Sequence, residues 1–246
     1  MAGGAVTTRM TSRRAVLLDL DDTLYAERDY VRSGFRAVGR FLSPLVGRRA
    51  AWIAARLDAM HDRDGRGRLF DDLLRELGMA HDPDLVPACL FVYRTHRPRL
   101  RPSPGVVDAI SALRAEGIFV GLVSDGLASV QYRKLKALSS VARQLDVVVM
   151  TDELGAGLSK PSPVPFRVAC QILGVAPADA VYVGNDPRKD FAGARAAGLR
   201  TIRTGRYPDE GGGLMVATAG SDDADETIQP FAAIVPATLG RFATDR

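Results

Sequence analysis

Five short runs of mainly apolar residues recur along the chain. They cover residues 15–20, 118–124, 146–150, 180–184 and 199–204. Near-continuous apolar runs of this length are typical of parallel strands whose two faces are both covered by helices. The pattern therefore predicts five buried strands of one parallel sheet.

Between these runs, apolar residues recur with helical spacing. The predicted helices cover residues 106–116, 127–138, 164–173 and 186–197, and glycine follows three of them directly, as is common where helices end. Strands that alternate with helices predict an α/β fold with a doubly wound, Rossmann-like parallel sheet. Near the end of the chain, "ADETIQPF" predicts a last edge strand and "AAIVPATLGRF" a short helix, preceded by a Gly-rich loop, "GRYPDEGGGLMVATAGSDD".

Residues 26–99 break this alternation and have only helical spacing. Four helices are predicted there, and the first runs through Val31, Phe35, Val38, Leu42 and Leu45, where Pro44 helps to end it. The second runs through Trp52, Ile53, Leu57 and Met60. The third runs through Phe70, Leu73 and Leu77 and is closed by Gly78, and the fourth runs from near Pro87 to Tyr93. Trp52, Tyr30 and Phe35 are expected in the core of this segment. We expect a helical domain of residues 26–99, inserted into a core domain of residues 12–25 and 100–246.

Composition limits the class of protein. The chain is 46% hydrophobic and 25% charged, with a net charge of +4. Its arginines are scattered and accompany no nucleic-acid motif, so we expect no nucleic-acid partner. The two cysteines have no metal or redox spacing, and no apolar run is long enough to cross a bilayer, which favours a cytoplasmic protein without membrane contact.

Lysine is rare in this arginine-rich chain, where it occurs only at positions 134, 136, 160 and 189. Because an ammonium is a compact point charge and a guanidinium is a planar fork, a lysine retained here suggests a need for a point charge.

Polar residues follow several predicted strands at their carboxyl ends. They are Asp19, Asp21 and Thr23 after the first strand, Ser124, Asp125 and Gly126 at the second, Lys160 before a helix that follows the third, and Asn185, Asp186 and Asp190 after the fourth. In open parallel sheets, ligands bind outside the carboxyl ends of the strands. These residues are therefore expected to form one site.

The order D-x-D-x-T, S, K and D-x-x-x-D resembles the haloacid dehalogenase (HAD) superfamily of hydrolases. The segments that carry the resemblance are "LLDLDDTLY", "GLVSDG", "GLSKPSPVPF" and "VYVGNDPRKDFAGARAAGLRTI". One acidic strand end alone is more often a turn or a helix cap, so the ordered set is what indicates the family. The helical insertion is similar to the C1-type cap of that superfamily.

The resemblance implies an Mg²⁺-dependent reaction with a phosphorylated substrate. Asp19 would be the nucleophile that forms an aspartyl-phosphate, and Asp21 the general acid and then the general base. The metal would be held by Asp19, Asp186 and the main-chain carbonyl of Asp21. A shared cation also explains why a chain places Asp19 and Asp21 so close together.

The remaining motif residues would bind the substrate or position other groups. Thr23, Ser124, Asp125, Gly126 and Lys160 form the expected substrate-binding set, with Ser124 and nearby backbone N–H groups holding phosphate oxygens. Lys160 would also act in catalysis by neutralising charge on the phosphoryl group, and Asp190 would orient it. Thr23 is expected to fix the turn and the Asp21 side chain, or to form a plain turn, and Asp22 is interpreted as a solvated turn residue.

One motif departs from the family pattern. The superfamily commonly has an acid directly after the glycine of the fourth motif, whereas this chain has Asn185 there and Asp186 next. A carboxylate suits Mg²⁺ better than an amide, which favours Asp186 as the ligand and leaves Asn185 as an alternative.

Asp21 also separates the branches of the superfamily. A halide leaving group needs no proton, so members that dehalogenate lack this second acid. The leading hypothesis is hydrolysis of a small phosphorylated metabolite such as a sugar phosphate, a nucleotide or a short organic phosphate. The alternatives are a phosphosugar mutase of the same superfamily and a non-catalytic protein that binds a phosphometabolite.

The oligomeric state, monomer or dimer, stays open.

Several basic residues have two interpretations. Arg94, His96, Arg97, Arg99 and Arg101 lie where the insertion returns to the core. They form either a solvated basic hinge, which is favoured, or a site for a second anionic group of the substrate. His61 and His81 are interpreted as exposed loop histidines.

Overall fold

The computed structural model describes residues 13–204, 224–228 and 234. Its centre is a six-stranded sheet in which every neighbouring pair is parallel, in the order β3-β2-β1-β4-β5-β6. The strands are β1 (Ala15–Leu18), β2 (Phe119–Ser124), β3 (Val147–Met150), β4 (Ala180–Gly184), β5 (Arg200–Thr204) and β6 (Glu226–Ile228). The doubly wound α/β fold predicted from the sequence is confirmed, and β6 lies where the edge strand was expected.

Four helices of the predicted insertion follow β1, before the chain returns to the sheet. They are α1 (Glu27–Val46), α2 (Ala50–Asp64), α3 (Leu69–Glu76) and α4 (Leu85–Thr95). Their apolar faces form a hydrophobic core of their own, which includes Phe35, Leu42 and Leu73. The predicted helical insertion is therefore present, while its exact division from the core at residues 26 and 99 stays a prediction.

Some details of the insertion differ from the prediction. Helix α1 contains Pro44 and continues to Val46, ending at Gly47 with a left-handed φ of 63°. Because Pro44 lies in the last turn, it removes only one backbone hydrogen bond there. Leu45, on the predicted apolar face of α1, is 51% exposed. Trp52, which was expected in the core, is 44% exposed, and the Arg48 guanidinium covers its ring. Tyr30 and Phe35 are buried as predicted.

Five helices cover the two faces of the sheet. They are α5 (Val106–Ala115), α6 (Ala128–Ala137), α7 (Ser139–Ala142), α8 (Val164–Leu173) and α9 (Phe191–Ala197). Alternate residues of β1 enter different cores: Val16 and Leu18 pack with the α5 side chains, whereas Ala15 and Leu17 pack with those of α8. This alternation places β1 between two hydrophobic layers, so its carboxyl end is the natural position for a buried site.

One predicted helix begins at a different residue, and one helix was missed. Helix α9 begins at Phe191 rather than at residue 186, because the Asp190 carboxylate accepts the backbone N–H groups of Asn185 and Asp186 and folds that segment as a loop. The short helix α7 was not predicted. The predicted Gly-rich loop and final helix fall almost wholly outside the described residues.

The two cysteines are free and buried, one in each kind of core. Cys89 lies in the core of the insertion, and Cys170 lies under the sheet. Burial raises the pKa of each thiol to about 11. Within the described segments, no helix has both the length and the apolar character needed to span a membrane.

Candidate active site

The site begins where β1 ends. Asp19 follows the last residue of β1, and its backbone N–H donates to the Val183 carbonyl at 2.9 Å, which continues the pairing with β4. Ser124 is the last residue of the neighbouring strand β2. The parallel register thus brings the first two motifs to the same edge of the sheet, as the sequence predicts.

A buried lysine connects three separate parts of the chain. The Lys160 Nζ lies 2.6 Å from Asp19 Oδ1 and 2.7 Å from Asp190 Oδ1, and it donates to the Tyr182 hydroxyl at 2.9 Å. All three charged side chains are under 10% exposed. A buried ammonium with this many partners is stabilised as a cation, since its hydrogen bonds replace those to water.

Burial and neighbouring charges act on the acidity of this cluster. Burial raises the pKa of the Asp19 carboxyl to about 7; the Lys160 ammonium opposes this rise, and the Asp190 carboxylate adds to it. Burial also disfavours the charged form of Lys160, but the Asp19 and Asp190 carboxylates outweigh it and hold the lysine pKa well above its ordinary value. The cluster has two carboxylates for one ammonium, so an added cation would relieve it.

Asp190 also shapes the loop beside it. While its Oδ1 accepts from Lys160 and from the Tyr182 hydroxyl, its Oδ2 accepts the backbone N–H groups of Asn185 and Asp186 at 3.0 and 2.9 Å. A Cβ atom on Gly184 would lie 2.4 Å from this Oδ2, so only glycine fits there. The orienting contact predicted between Asp190 and Lys160 is present.

Asp21 is surrounded by donors that sequence reasoning missed. Lys134 Nζ lies 2.8 Å from both carboxylate oxygens, Gln131 Nε2 donates to Oδ2 at 2.9 Å, and the Tyr25 hydroxyl donates to Oδ1. Burial acts to raise the pKa of Asp21, but Lys134 and the hydrogen bonds hold it below its ordinary value. The signal available in the sequence was the rarity of lysine together with the three-residue spacing of Gln131 and Lys134, which places them on one helix face.

The other predicted binding residues take different positions. Ser124 is buried, and its Oγ accepts from Gln131 at 2.7 Å. The Asp125 carboxylate accepts from the Thr151 hydroxyl and from the backbone N–H of Lys160, so it holds the lysine loop. Thr23 donates to Asp19 Oδ2 over a long 3.5 Å, so its contact is with Asp19 and not with Asp21 as expected.

Asp22 belongs to the turn, as interpreted from the sequence. It has a left-handed φ of 54°, and its Oδ1 accepts the backbone N–H of Glu27 at 2.7 Å. This carboxylate therefore caps the start of α1, a favourable position for a negative charge.

A cavity of about 1070 Å³ lies between the sheet edge and the insertion. The core domain contributes catalytic candidates, including Asp19, Asp21, Gly126, Lys160, Asp186 and Asp190, while the insertion contributes aromatic and basic groups such as Tyr30, Phe35, Arg66, Tyr93 and Arg94. Thr23 and Ser124 do not line it. The volume is at the upper end of the range of small-molecule clefts.

The basic hinge and the histidines divide between surface and cavity. Of the five basic hinge residues, Arg94 lines the cavity, and Arg97, Arg99 and Arg101 are exposed. His96 is partly buried, with its Nδ1 2.6 Å from the Tyr93 carbonyl oxygen. His61 was expected in an exposed loop but is half-buried in α2, with Nδ1 2.6 Å from Arg28 Nη1. His81 is exposed, as predicted.

The predicted metal ligands are the oxygen donors that Mg²⁺ prefers. No group of three His, Cys, Asp or Glu side chains suited to a metal occurs among the described residues. Mg²⁺ does not need one, since it is usually bound through one or two carboxylates with waters and substrate oxygens. Asp19 and Asp186 both line the cavity; Asp186 is paired with the exposed Arg188, which holds the Asp186 pKa below its ordinary value against the effect of burial. This all-oxygen donor set fits Mg²⁺, and Asn185 lines the same wall.

Comparisons with known proteins agree with this geometry. A family model described as haloacid dehalogenase-like hydrolase matches residues 13–198. The glyceraldehyde 3-phosphate phosphatase of Methanopyrus kandleri is 36% identical over 209 residues, covering 80% of this chain and 86% of that protein. A plasmid phosphoglycolate phosphatase of Cupriavidus necator is 32% identical over 241 residues, covering 93% and 96%.

The same fold occurs in a solved structure. The crystal structure of a HAD phosphatase from Thermococcus onnurineus matches with a TM-score of 0.56 at 24% identity, over 89% of this chain and 94% of that one. With the family model covering most of the chain and two relatives above 30% identity over most of their length, the protein belongs to the haloacid dehalogenase-like hydrolases.

Proposed function

We propose that this protein is an Mg²⁺-dependent phosphatase that hydrolyses a small phosphorylated metabolite through an aspartyl-phosphate on Asp19. The observation that carries the proposal is the buried Lys160 ammonium held between Asp19 and Asp190, beside a second acid, Asp21, on the wall of one cavity. This arrangement supplies a nucleophile, a cation and a proton donor within one site.

Asp19 is suited to attack because its carboxylate is buried and fixed in direction by Lys160. In the first step a carboxylate oxygen of Asp19 forms a bond to phosphorus while the bond from phosphorus to the substrate oxygen breaks. Lys134 and its hydrogen bonds hold Asp21 as a carboxylate in the free protein, so Asp21 takes up a proton as the substrate binds and gives that proton to the leaving oxygen, which departs as an alcohol.

The second step returns the enzyme to its starting state. Asp21, now a carboxylate, accepts a proton from water as that water attacks the phosphorus of the aspartyl-phosphate. The bond between phosphorus and Asp19 breaks, and inorganic phosphate leaves. Lys160 offsets the negative charge of the phosphoryl oxygens in both steps, in a buried setting where such contacts are strong.

A cation is also needed because the negative charges of Asp19 and Asp21 repel the phosphate group of the substrate. Asp19, Asp186 and the main-chain carbonyl of Asp21 would hold Mg²⁺, and the bound ion would supply positive charge next to the phosphoryl group. Asp186 is available for this task because its present partners, Arg188 and Lys189, have side chains that are 84% and 55% exposed.

The relatives support a small substrate. Those described above are named as phosphatases of glyceraldehyde 3-phosphate and of phosphoglycolate, both short alkyl phosphates. The insertion lines the cavity with apolar side chains such as Phe35, Phe70 and Leu90, which would limit the access of water to the reacting groups when a substrate is bound. A compact organic phosphate fits a cavity between two parts of one chain better than a phosphoprotein does.

The test is phosphate release from glyceraldehyde 3-phosphate, phosphoglycolate and O-phosphoserine, with Mg²⁺ and with a chelator. We expect turnover that the chelator abolishes and that Asp19→Asn abolishes, while the control Asp22→Asn, which keeps the helix cap, retains it. Turnover that needs a sugar bisphosphate activator would indicate a mutase. Binding without turnover by the Mg²⁺-loaded protein would indicate a non-catalytic protein.

A further inference from the structure

A second buried lysine lies on the wall of the same cavity. Lys134 is 4% exposed and projects from α6, where Gln131 is one turn earlier and 2% exposed. Among the described residues, Asp21 is the only carboxylate within ion-pair distance of Lys134. A buried ammonium is costly without a partner, so this lysine and Asp21 depend on each other.

We propose that Lys134 is a positioning residue that holds the Asp21 carboxyl group in the orientation from which, once it has taken up a proton, it reaches the leaving group. The inference rests on the role given to Asp21 under the proposed function. The proposal concerns direction and not charge alone, because Lys134 Nζ is 2.8 Å from both oxygens and so fixes the plane of the carboxylate.

Lys134 is itself held from a second side. Its Nζ lies 4.5 Å from the centre of the Tyr30 ring, a favourable cation–π distance. Tyr30 belongs to α1, the first helix of the insertion, and its hydroxyl donates to the Tyr93 carbonyl of α4. Lys134 therefore connects the acid of the core to two helices of the insertion.

Gln131 ties the same acid to β2. Its Nε2 donates to Asp21 Oδ2 at 2.9 Å and to Ser124 Oγ at 2.7 Å. Because the Ser124 oxygen accepts this hydrogen bond, its own proton is free for another acceptor. One turn of α6 thus sets the orientation of two candidate site residues. Without Lys134, Asp21 keeps its contacts to Tyr25 and Gln131 but loses the paired contact that fixes its plane.

If Lys134 positions the acid, the effect of removing Lys134 on the rate should depend on the leaving group of the substrate. An alkyl alcohol leaves poorly without a proton, whereas p-nitrophenolate leaves without one. Displacing the acid therefore slows the first step for an alkyl phosphate and has little effect for p-nitrophenyl phosphate. Loss of a phosphate-binding cation would slow both substrates by similar factors, because both carry the same phosphoryl group.

The experiment measures kcat/KM for both kinds of substrate with Lys134→Met, in the presence of Mg²⁺. The alkyl substrate is whichever of glyceraldehyde 3-phosphate, phosphoglycolate and O-phosphoserine the unaltered enzyme turns over fastest. The ratio of alkyl to aryl kcat/KM is expected to fall at least about tenfold, which is part of the roughly 10²–10⁴-fold that general acid catalysis contributes. Because both substrates are measured on one preparation, the ratio does not depend on the folded fraction.

Two variants complete the design. Lys136→Met alters an exposed lysine on the same helix and should leave the ratio unchanged. Asp21→Asn should lower the ratio at least as much as Lys134→Met. An equal loss for both substrates in Lys134→Met, or no loss, would overturn the role of Lys134 while leaving the proposed function intact. If Asp21→Asn leaves the ratio unchanged, the role of Asp21 is wrong, and the inference about Lys134 is overturned with it.

Discussion

At the scale of single residues, the site depends on charged side chains that are buried and lie within hydrogen-bond distance of one another. Asp19, Asp190 and Lys160 share one buried cluster, and Asp21 adjoins it. Burial disfavours the charged form of Asp19, while the proposed reaction needs that form as the nucleophile. Lys160 stabilises the Asp19 carboxylate, and under the proposed function a bound Mg²⁺ would do so further, which leads to a dependence on pH.

The acid limb of kcat/KM is expected to move with the Mg²⁺ concentration. The Asp19 pKa of about 7 means that the nucleophile gains a proton, and activity falls, as the pH drops below neutrality. A bound cation favours the carboxylate, so raising Mg²⁺ should shift this limb to lower pH. Profiles of kcat/KM at limiting and saturating Mg²⁺ measure the shift. A limb that stays at one pH at both concentrations would contradict the account.

At the scale of elements, the position of Lys160 depends on close contact between α9 and the segment after the lysine. A Cβ atom added to Gly193 would lie 2.1 Å from the Pro161 carbonyl oxygen, and Asp190 directly precedes α9. The helix and the lysine loop therefore lie in backbone contact, and any group between them must displace one of the two.

Gly193→Ala is expected to lower both stability and activity. Overpacking at such a contact costs about 1–3 kcal/mol, and the displaced loop carries Lys160 away from Asp19. Urea unfolding and phosphate release measure the two effects. The control is Gly67→Ala, whose added Cβ would meet nothing closer than 3.8 Å and should leave the unfolding free energy nearly unchanged. An unaltered midpoint for Gly193→Ala would show that this contact is not tight.

The elements also show what the sequence could and could not predict. Apolar runs predicted the five main strands, because residues buried on both faces leave a local signal. The predicted start of α9 was wrong because the Asp190 carboxylate accepts hydrogen bonds from the N–H groups of residues 185 and 186. The spacing of residues along the chain does not reveal these contacts. Motif order located Asp19, Ser124 and Lys160 at one edge, but the partners Lys134 and Gln131 required three-dimensional placement.

At the scale of the whole molecule, the chain contains two kinds of hydrophobic core. The insertion packs its four helices around one core, whereas the sheet has a core on each side, and these two cores together bury more side chains than the core of the insertion does. Smaller cores bury less of their surface and contribute less stability. We therefore expect the insertion to open before the sheet does, with the cavity between them exposed first.

The two buried cysteines report this order separately. Cys89 lies in the insertion and Cys170 lies under the sheet, and burial raises both thiol pKa values to about 11, so neither reacts readily in the native protein. In increasing urea, alkylation followed by mass spectrometry should label Cys89 at a lower concentration than Cys170. Labelling of both at the same concentration would mean that the chain unfolds as one cooperative unit.

The central claim is that Asp19 carries the phosphoryl group during turnover. The most direct measurement is a rapid acid quench of the Mg²⁺-loaded enzyme with its best substrate, followed by peptide mass spectrometry. The account predicts one added phosphoryl group on the peptide that contains Asp19, localised to that residue and absent from Asp19→Asn, which should release no phosphate. A phosphoryl group on any other residue, or an Asp19→Asn variant that turns over at the rate of the unaltered enzyme, would contradict it.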